Sequence, residues 1–132
     1  MKVAHIAIKV DDLDAAVEFY RTVLGFTDVR QGRVRDHYSR HMTDGSIDVA
    51  LIKYDSEESS TEAKAAGSGP CIHHIGFAVD DLDARVRELE ARGLEIISDP
   101  GVVPVKFRIP GGTIAEFAPS AHYEVGHHEI GH

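Results

Sequence analysis

The sequence predicts an α+β domain in which two tandem βαβββ units form one curved mixed sheet with a central cleft. Residues 5–15 (HIAIKVDDLDA) and 74–84 (HIGFAVDDLDA) are identical at eight of eleven positions, with a constant offset of 69 residues. Each segment alternates like a strand, and a helical pattern follows each one. Self-similarity of this kind at a fixed offset indicates an internal duplication.

Each copy begins with a strand that leads into a helix. The apolar residues of the two strands alternate with smaller or polar ones, at Ile6, Ile8 and Val10 and at Ile75, Phe77 and Val79. The sequence Asp-Asp-Leu-Asp then supplies N-cap candidates and acidic residues for a first helical turn. Helical spacing follows at Leu13, Val17, Tyr20 and Leu24, and at Leu82, Val86 and Leu89. Gly93 is placed to end the second helix as a left-handed C-cap.

Further strands are predicted after each helix. In the first copy they are residues 27–30, 35–42 and 47–54, with Asp44-Gly45 as a hairpin turn. In the second copy they are residues 95–98, 105–109 and 113–118, with Pro110-Gly111-Gly112 turning before the last strand. The domain therefore spans residues 1–119.

The first unit covers residues 1–54 and the second covers 71–119. Between them, residues 55–70 are rich in Ser, Glu, Ala and Gly, which predicts a solvated linker with a short helical turn at Thr61–Ala66. Residues 120–132 are predicted to be a frayed C-terminal tail, although its histidines could also collect metal ions. These histidines are His122, His127, His128 and His132.

Composition excludes several classes of partner. The net charge is −8 in 132 residues, so the chain offers no basic stripe for nucleic acid or for an anionic membrane surface. It contains no run of about 20 apolar residues that could span a bilayer, and its N-terminal residues do not resemble a signal peptide. The single cysteine, Cys71, fits a reducing compartment. We therefore expect a cytoplasmic protein.

Strand alternation brings two histidines and a carboxylate to one cleft. If Ile6 and Ile8 face the helix, His5 faces the cleft, and the same reasoning places His74 there while His73 points the other way. In the last strand Glu116 lies on the face opposite Phe117. A buried glutamate is costly unless it is paired or binds a metal. Two histidines and one carboxylate form a ligand set that leaves coordination positions open.

Several basic residues are candidates for binding an anionic substrate group. Lys106 and Arg108 alternate with Val105, Phe107 and Ile109, so they either point into the cleft or are solvated charges of an edge strand. Arg40 shares its strand face with Tyr38 and leaves the same two alternatives open.

The two strands beginning HIAIKVDDLD and HIGFAVDDLD, together with GGTIAEFAPS, resemble the vicinal oxygen chelate superfamily. Its members include glyoxalase I, methylmalonyl-CoA epimerase, extradiol dioxygenases, and fosfomycin- and bleomycin-resistance proteins. The resemblance implies metal ligands in the first, fourth, fifth and eighth strands. These places correspond to His5, the stretch 48–52, His74 and Glu116. It also implies a small-molecule substrate and a homodimer.

The chain departs from this pattern in the fourth strand. Metal-dependent members carry Glu, Gln or His before a leucine there, whereas this chain has Ala50-Leu51. Asp48, two residues earlier on the same face, could replace the missing ligand, and so could His37 or His41 of the neighbouring strand. With no replacement, the three-ligand site resembles that of the extradiol dioxygenases.

The resemblance leaves three functions open. The first is a metal-dependent lyase or isomerase of glyoxalase or epimerase type, with Glu116 as ligand or catalytic base. The second is an Fe(II)-dependent extradiol-type dioxygenase, and the third is a non-enzymatic antibiotic-binding or resistance protein. The divalent metal could be Fe, Ni, Co, Zn or Mn.

Overall fold

A computed structural model describes residues 1–125, in which seven strands form one mixed sheet. The strands are β1 (Lys2–Lys9), β2 (Thr27–Val34), β3 (His37–Thr43), β4 (Asp48–Tyr54), β5 (Cys71–Val79), β6 (Val105–Arg108) and β7 (Ile114–Pro119). The helices are α1 (Leu13–Thr22), α2 (Thr61–Ala66) and α3 (Leu82–Ala91), and a short 3-10 helix covers Ser120–Tyr123. None of the helices within residues 1–125 is long and apolar enough to cross a bilayer.

The sheet order is β2-β3-β4-β1-β5-β7-β6, so the first strands of the two copies lie side by side at its centre. β1 and β5 are antiparallel, and each is parallel to the last strand of its own copy. His5 is opposite Gly76, and Ala7 is opposite His74. The duplication therefore produces a local pseudo-twofold arrangement with the two histidines next to each other, and the predicted α+β fold class is confirmed.

The apolar core lies between the sheet and the helices α1 and α3. In the first copy Val17 packs on Met42, Val49 and Leu51, and in the second copy Leu89 packs on Phe107 and Phe117. Both predicted N-caps are confirmed: Asp12 accepts a hydrogen bond from the Ala15 amide and Asp81 accepts one from the Ala84 amide, each 3.0 Å long. Burying one face of the sheet in this way leaves its other face to form the cleft.

The predicted strand at residues 95–98 is wrong, since this segment contributes only an isolated bridge between Ile96 and Phe107. The amides of Ile97 and Ser98 both donate to the carbonyl of Lys106, at 2.7 and 3.4 Å. The amide of Lys106 in turn donates to the Ser98 hydroxyl at 3.0 Å instead of to a main-chain carbonyl, so the regular ladder does not continue. The sheet consequently has seven strands rather than eight, whereas β2 is longer than predicted and reaches Val34.

The linker helix α2 occupies the predicted residues, and most of residues 55–70 are exposed as predicted, but Glu62 and Ala63 are buried. Ala63 is fully buried against the cleft-facing side chains Ala7, Ala50, Ile52 and Tyr54. Glu62 is also buried, and the buried Lys9 side chain donates a 2.6 Å hydrogen bond to the carbonyl of Gly67. Within this segment, Glu62 lines the cleft.

Candidate metal centre

The cleft on the face opposite α1 and α3 has a volume of about 420 Å³. Its lining includes His5, Ala7, Ala50, His74 and Glu116 from the central strands. This volume is in the range of sites that hold small-molecule ligands. The alternation that was predicted for β1, β4, β5 and β7 is therefore observed, because these residues share one face.

Two imidazoles and one carboxylate converge at the base of the cleft. The Nε2 atoms of His5 and His74 are 3.3 Å apart. Glu116 Oε1 lies 2.9 Å from His74 Nε2, and Glu116 Oε2 lies 3.7 Å from His5 Nε2. All three side chains are buried, with exposed fractions of 6%, 6% and 2%. The predicted set is thus brought together, and one ligand atom from each residue lies within 4.8 Å of the others.

The spacing of these atoms fits a divalent metal. Ligand atoms about 2.1 Å from a tetrahedral metal are about 3.4 Å from one another, and the observed separations are 2.9 to 3.7 Å. The 2.9 Å contact between His74 Nε2 and Glu116 Oε1 has the length of a hydrogen bond, and a bound metal ion would take the place of its proton. The chemistry of the donors therefore fits a metal ion, which the ionised carboxylate and neutral imidazoles prefer.

Asp48 holds the other side of the His5 ring. Its Oδ2 accepts a 2.6 Å hydrogen bond from His5 Nδ1–H, and its Oδ1 lies 2.9 Å from Nδ1 of His41. Burial alone raises the pKa of Asp48, but the hydrogen bonds with His41 and His5 outweigh it and hold that pKa below its usual range. The proton on Nδ1 leaves the Nε2 lone pair of His5 directed at Glu116. Asp48 thus orients His5, as carboxylates behind metal-binding histidines do.

His73 holds the other side of the His74 ring, so the prediction that it points away is wrong. Ala7 is paired with His74 but Ile8 is paired with Ile72, which leaves His73 as the extra residue of a β-bulge. The bulge turns its ring toward His74, and the two Nδ1 atoms are 2.7 Å apart. A strict alternation rule fails here because the bulge changes the facing of one residue.

Glu116 is held by two further contacts. The hydroxyl of Tyr123 donates a 2.7 Å hydrogen bond to Oε2, and Lys106 Nζ lies 3.4 Å from Oε1. Burial raises the pKa of Glu116, but the hydrogen bond with His74 and the charge of Lys106 lower it well below its usual range. The carboxylate is therefore ionised and fixed in position at neutral pH.

Gly76 makes room for this arrangement. A Cβ atom at this position would lie 2.8 Å from both His5 Cβ and Tyr123 Oη, and 3.1 Å from Glu116 Oε2. A glycine is needed here for lack of space rather than for a special backbone conformation. The space beside Gly76 is thus filled by side chains of the site itself.

Tyr123 is a site residue that sequence reasoning missed. The prediction of a frayed tail is wrong for residues 120–125, since Tyr123 and Val125 are buried and the Tyr123 ring stacks on His5 with centroids 5.3 Å apart. The one available signal was an aromatic residue shortly after a strand that carries a buried glutamate. His122 lines the cleft, whereas His127, His128 and His132 lie outside the described residues.

The predicted fourth ligand position is occupied by Ala50. Its partner across the parallel pairing with β1 is Ala7, just as Glu116 is the partner of Gly76 across the pairing with β5. Ala50 is thus the counterpart of Glu116 in the first copy, and it has no donor atom. His41 contacts Asp48 rather than the ligand cluster, and His37 lies 3.1 Å from Asp36.

The three predicted substrate-binding residues are in different surroundings. Lys106 lines the cleft, with its Nζ between carboxylates of Glu116 and Glu62. Arg108 lies one residue pair farther along β6, outside the cleft lining, with Nε 3.4 Å from Glu95. Arg40 is also outside it, because His37, Ser39 and His41 are the residues of β3 that face the cleft.

Arg40 instead has Nη2 4.0 Å from Asp28 on the opposite side of the sheet. The cleft contains other charged residues that the sequence did not single out. Arg30 and Arg35 lie along its rim, and Glu62 of α2 lies on its wall, with Oε2 3.7 Å from Arg35 Nη2. No local pattern marks Glu62, since it lies in a stretch whose composition is that of a solvated linker.

Comparison with known proteins gives consistent similarities. A family model described as the Glyoxalase/Bleomycin resistance protein/Dioxygenase superfamily matches residues 2–110. Lactoylglutathione lyase of Haemophilus influenzae is 26% identical over 125 residues, covering 89% of this chain and 83% of the relative. A probable lactoylglutathione lyase of Vibrio cholerae is 27% identical over 120 residues, covering 85% and 77%.

Among solved structures, a variant of Streptomyces coelicolor methylmalonyl-CoA epimerase in complex with 2-nitronate-propionyl-CoA superposes with a TM-score of 0.75. It is 25% identical, and the superposition covers 92% of this chain and 98% of that one. The likeness therefore extends over nearly the whole of the described fold.

Proposed function

Because the chain belongs to the Glyoxalase/Bleomycin resistance protein/Dioxygenase superfamily, we propose that it is a metal-dependent lyase or isomerase acting on a small oxygenated substrate. The observation that carries this proposal is the convergence of His5, His74 and Glu116, whose Nε2 and carboxylate oxygen atoms lie 2.9 to 3.7 Å apart. The named relatives act in the same two reaction classes, since one is a lyase and another an epimerase.

His5, His74 and Glu116 would hold a divalent metal ion, and Ala50 would leave the side of the first copy open to substrate. Such an ion, when bound, acts as a Lewis acid that stabilises negative charge developing on a substrate oxygen. Glu116 is fixed by Tyr123 and Lys106, so we assign it the role of a ligand rather than that of a mobile base.

We propose that Glu62 is the group that accepts the substrate proton. Lys106 Nζ lies 3.5 Å from Glu62 Oε1 and 3.4 Å from Glu116 Oε1, so Glu62 faces the same space as the ligand cluster from the opposite wall. A general base must lie close to the carbon that loses its proton, on the side that the substrate occupies. Glu62 would supply this carboxylate from α2, where the first copy has only Ala50 on β4.

The experiment measures bound metal and proton exchange in one background. Full-length protein carrying His127→Ala, His128→Ala and His132→Ala excludes binding by the tail. We expect near-stoichiometric metal by mass spectrometry, lost in His5→Ala, His74→Ala and Glu116→Ala and retained in Glu62→Gln. In deuterated water, exchange at the substrate carbon should occur with the wild-type site and be abolished by Glu62→Gln. Hemithioacetals of 2-oxoaldehydes and 2-methyl-acyl-CoA esters are the two substrate sets.

One observation favours a second function. Two histidines and one carboxylate without a fourth protein ligand are typical of non-haem Fe(II) oxygenases, and Ala50 supplies no fourth ligand. Oxygen consumption with catechols after anaerobic Fe(II) loading, in a protein that shows no carbon–proton exchange, would support an extradiol-type dioxygenase instead. A protein that stays free of metal after loading would contradict both enzymes and leave a ligand-binding protein.

Two further properties concern the assembly of the protein and its location in the cell. We propose a homodimer in the cytoplasm, on the resemblance to the superfamily and on the single cysteine, Cys71. Sedimentation of the purified chain tests the first of these.

A further inference from the structure

The charges that line the cleft differ from those of the chain as a whole. The chain has 14 Lys and Arg against 22 Asp and Glu. The lining contributed by the described residues has three cations, Arg30, Arg35 and Lys106, against two carboxylates, Glu62 and Glu116. A concave site with an excess of one sign of charge concentrates ligands of the opposite sign. The cleft therefore favours an anionic ligand in a protein whose net charge repels anions.

Arg30 differs from the other two cations because it has no carboxylate partner among the described residues. Lys106 Nζ lies 3.5 Å from Glu62 Oε1, and Arg35 Nη2 lies 3.7 Å from Glu62 Oε2. Arg108, outside the cleft, is likewise paired with a carboxylate. In the part of the chain that the structure describes, the Arg30 guanidinium makes no ion pair and no hydrogen bond with an Asp or Glu. Its donors at the cleft are therefore available to a ligand.

The register of the sheet places Arg30 in line with the candidate metal centre. Arg30 is paired with His41, His41 with Ala50, Ala50 with Ala7, and Ala7 with His74. These five residues lie side by side on neighbouring strands, and all of them line the cleft. One row of the cleft floor therefore runs from a guanidinium on the edge strand β2 to a proposed metal ligand on β5.

The length of this row sets the shape of a ligand that reaches both of its ends. Adjacent strands are about 4.8 Å apart, and β2 is four strands away from β5, so their backbones are separated by roughly 19 Å along the sheet. The Arg30 side chain covers part of this distance. Between the ends, Ala50 and Ala7 present only methyl groups to the cleft. The ligand must therefore be extended, with an uncharged segment above the two alanines.

We propose that Arg30 determines substrate specificity by binding a carboxylate or phosphate group at the far end of an extended substrate, whose reacting end lies at the candidate metal centre. The inference rests on the proposed function and deepens it, because it names the substrate class as an elongated acid. The planar fork of a guanidinium suits this role, since it offers two parallel hydrogen bonds to either kind of anion. Arg30 thus takes the place of Arg40 and Arg108, which were predicted to bind an anionic group but lie outside the cleft lining.

The first test needs neither a metal nor turnover. Metal-free, full-length protein labelled with ¹⁵N is titrated with three probes that share a six-carbon chain, namely hexanoate, hexyl phosphate and 1-hexanol. We expect both anions to shift the Arg30 Nε–H and Ala50 amide signals and to bind roughly tenfold more tightly than the alcohol. Arg30→Gln should remove this preference. Arg40→Gln is the matched control, because Arg40 lies on the neighbouring strand outside the cleft, and it should leave all three affinities unchanged.

The second test uses turnover by the metal-loaded protein. The hemithioacetals that methylglyoxal forms with 6-mercaptohexanoate and with 6-mercapto-1-hexanol differ only in the group at the far end of the chain. Arg30→Gln should raise KM for the carboxylate substrate about tenfold and leave kcat nearly unchanged, because Arg30 contacts a group that does not react. Both constants for the alcohol should stay as in the wild type. Arg30→Lys, which keeps the charge but not the fork, should restore part of the lost affinity.

The outcomes separate this inference from the proposed function. If the anions bind no more tightly than 1-hexanol, or if Arg30→Gln and Arg40→Gln behave alike, Arg30 is a solvated charge of an edge strand and the inference alone is overturned. If the anions bind through Arg30 but the protein takes up no metal or exchanges no substrate proton, the proposed reaction fails and Arg30 remains the anion site of the cleft.

Discussion

The two copies of the repeat each supply one histidine to the proposed metal centre, but the partner that holds each histidine is chemically different. In the first copy a carboxylate, Asp48, accepts from His5 Nδ1 at 2.6 Å. In the second copy the partner is a neutral imidazole, since the Nδ1 atoms of His73 and His74 are 2.7 Å apart. An anionic partner makes a ligating imidazole more basic than a neutral partner does. The scaffold is thus nearly symmetrical, whereas the electrostatics of its two ligands are not.

The same contrast exists in the cleft-facing positions of the last strands. Ala50 and Glu116 occupy equivalent places opposite Ala7 and Gly76. One copy therefore has a carboxylate at this position, and the other has a methyl group. The duplicated unit places two histidines together, while single residues that differ between the copies decide where the cleft carries negative charge.

The largest expected difference between Asp48, the partner of His5, and His73, the partner of His74, is in how the free energy of unfolding depends on pH. The pKa of His73 is about 4 in the folded protein and about 6.5 in an unfolded chain. As pH falls below 6.5, His73 takes up a proton in the unfolded chain before it does so in the folded protein. The contribution of the neutral His73 ring to the free energy of unfolding is therefore fully present above pH 6.5 and decreases until about pH 4. At 1.36 kcal/mol per pKa unit, the loss in metal-free protein is about 3 kcal/mol.

Asp48 has a lowered pKa, so its contribution is complete above about pH 4 and is lost only below it. Urea unfolding at intervals from pH 3 to pH 7 should show the two windows. His73→Phe should flatten the slope between pH 4 and 6.5 and leave the acidic window. An unchanged slope in that variant would show that His73 does not titrate as expected.

Asp48→Asn tests the support of the first copy. The amide retains the shape of the side chain but loses the charge, and we expect metal affinity to fall roughly 10- to 100-fold. Because the partner of His5 is anionic, the loss should be at least as large as that caused by His73→Phe. A chelator competition assay with both variants makes this comparison. A smaller loss of affinity in Asp48→Asn than in His73→Phe would contradict this expectation.

Gly76→Ala and Ala7→Gly exchange the small residues beside the histidines. A methyl group at position 76 would lie 2.8 Å from His5 Cβ and from Tyr123 Oη, so one of them must move. Overpacking of this kind costs about 1–3 kcal/mol, and we expect both the free energy of unfolding and metal content to fall. Ala7→Gly removes a methyl group at the equivalent position and should retain the metal. Urea unfolding and metal analysis measure these effects, and full metal occupancy in Gly76→Ala would contradict them.

Ala50→Glu makes the first copy resemble the second. A carboxylate at position 50 would face the cleft opposite Glu116 and provide a fourth ligand, and we expect a gain in metal affinity of roughly tenfold, or about 1.4 kcal/mol. Ala50→Leu is the control, since it fills the cleft without adding a donor and should not raise the affinity. Co²⁺ absorption, which responds to the number of ligands, reports the change. Equal affinities for both variants would show that position 50 is not directed at the metal.

Much of the fold could be predicted because duplication and alternation are properties of the sequence. The histidines at an offset of 69 residues were identified in this way, and the aspartate caps follow from the N-cap preference of that residue. The absence of a strand at residues 95–98 could not be predicted, because its apolar pattern is that of a strand and its pairing is interrupted by a side chain, the Ser98 hydroxyl, that bonds to the Lys106 amide.

The sequence by itself determined the α+β architecture and the positions of His5, His74 and Glu116, since period-two alternation decides which side chains share a face. Only the tertiary structure decided what surrounds them. A bulge turns His73 toward His74, a short 3-10 helix brings Tyr123 to Glu116, and a linker of polar composition places Glu62 on the cleft wall. These contacts join residues from separate elements, and their distances depend on how those elements pack rather than on any local pattern.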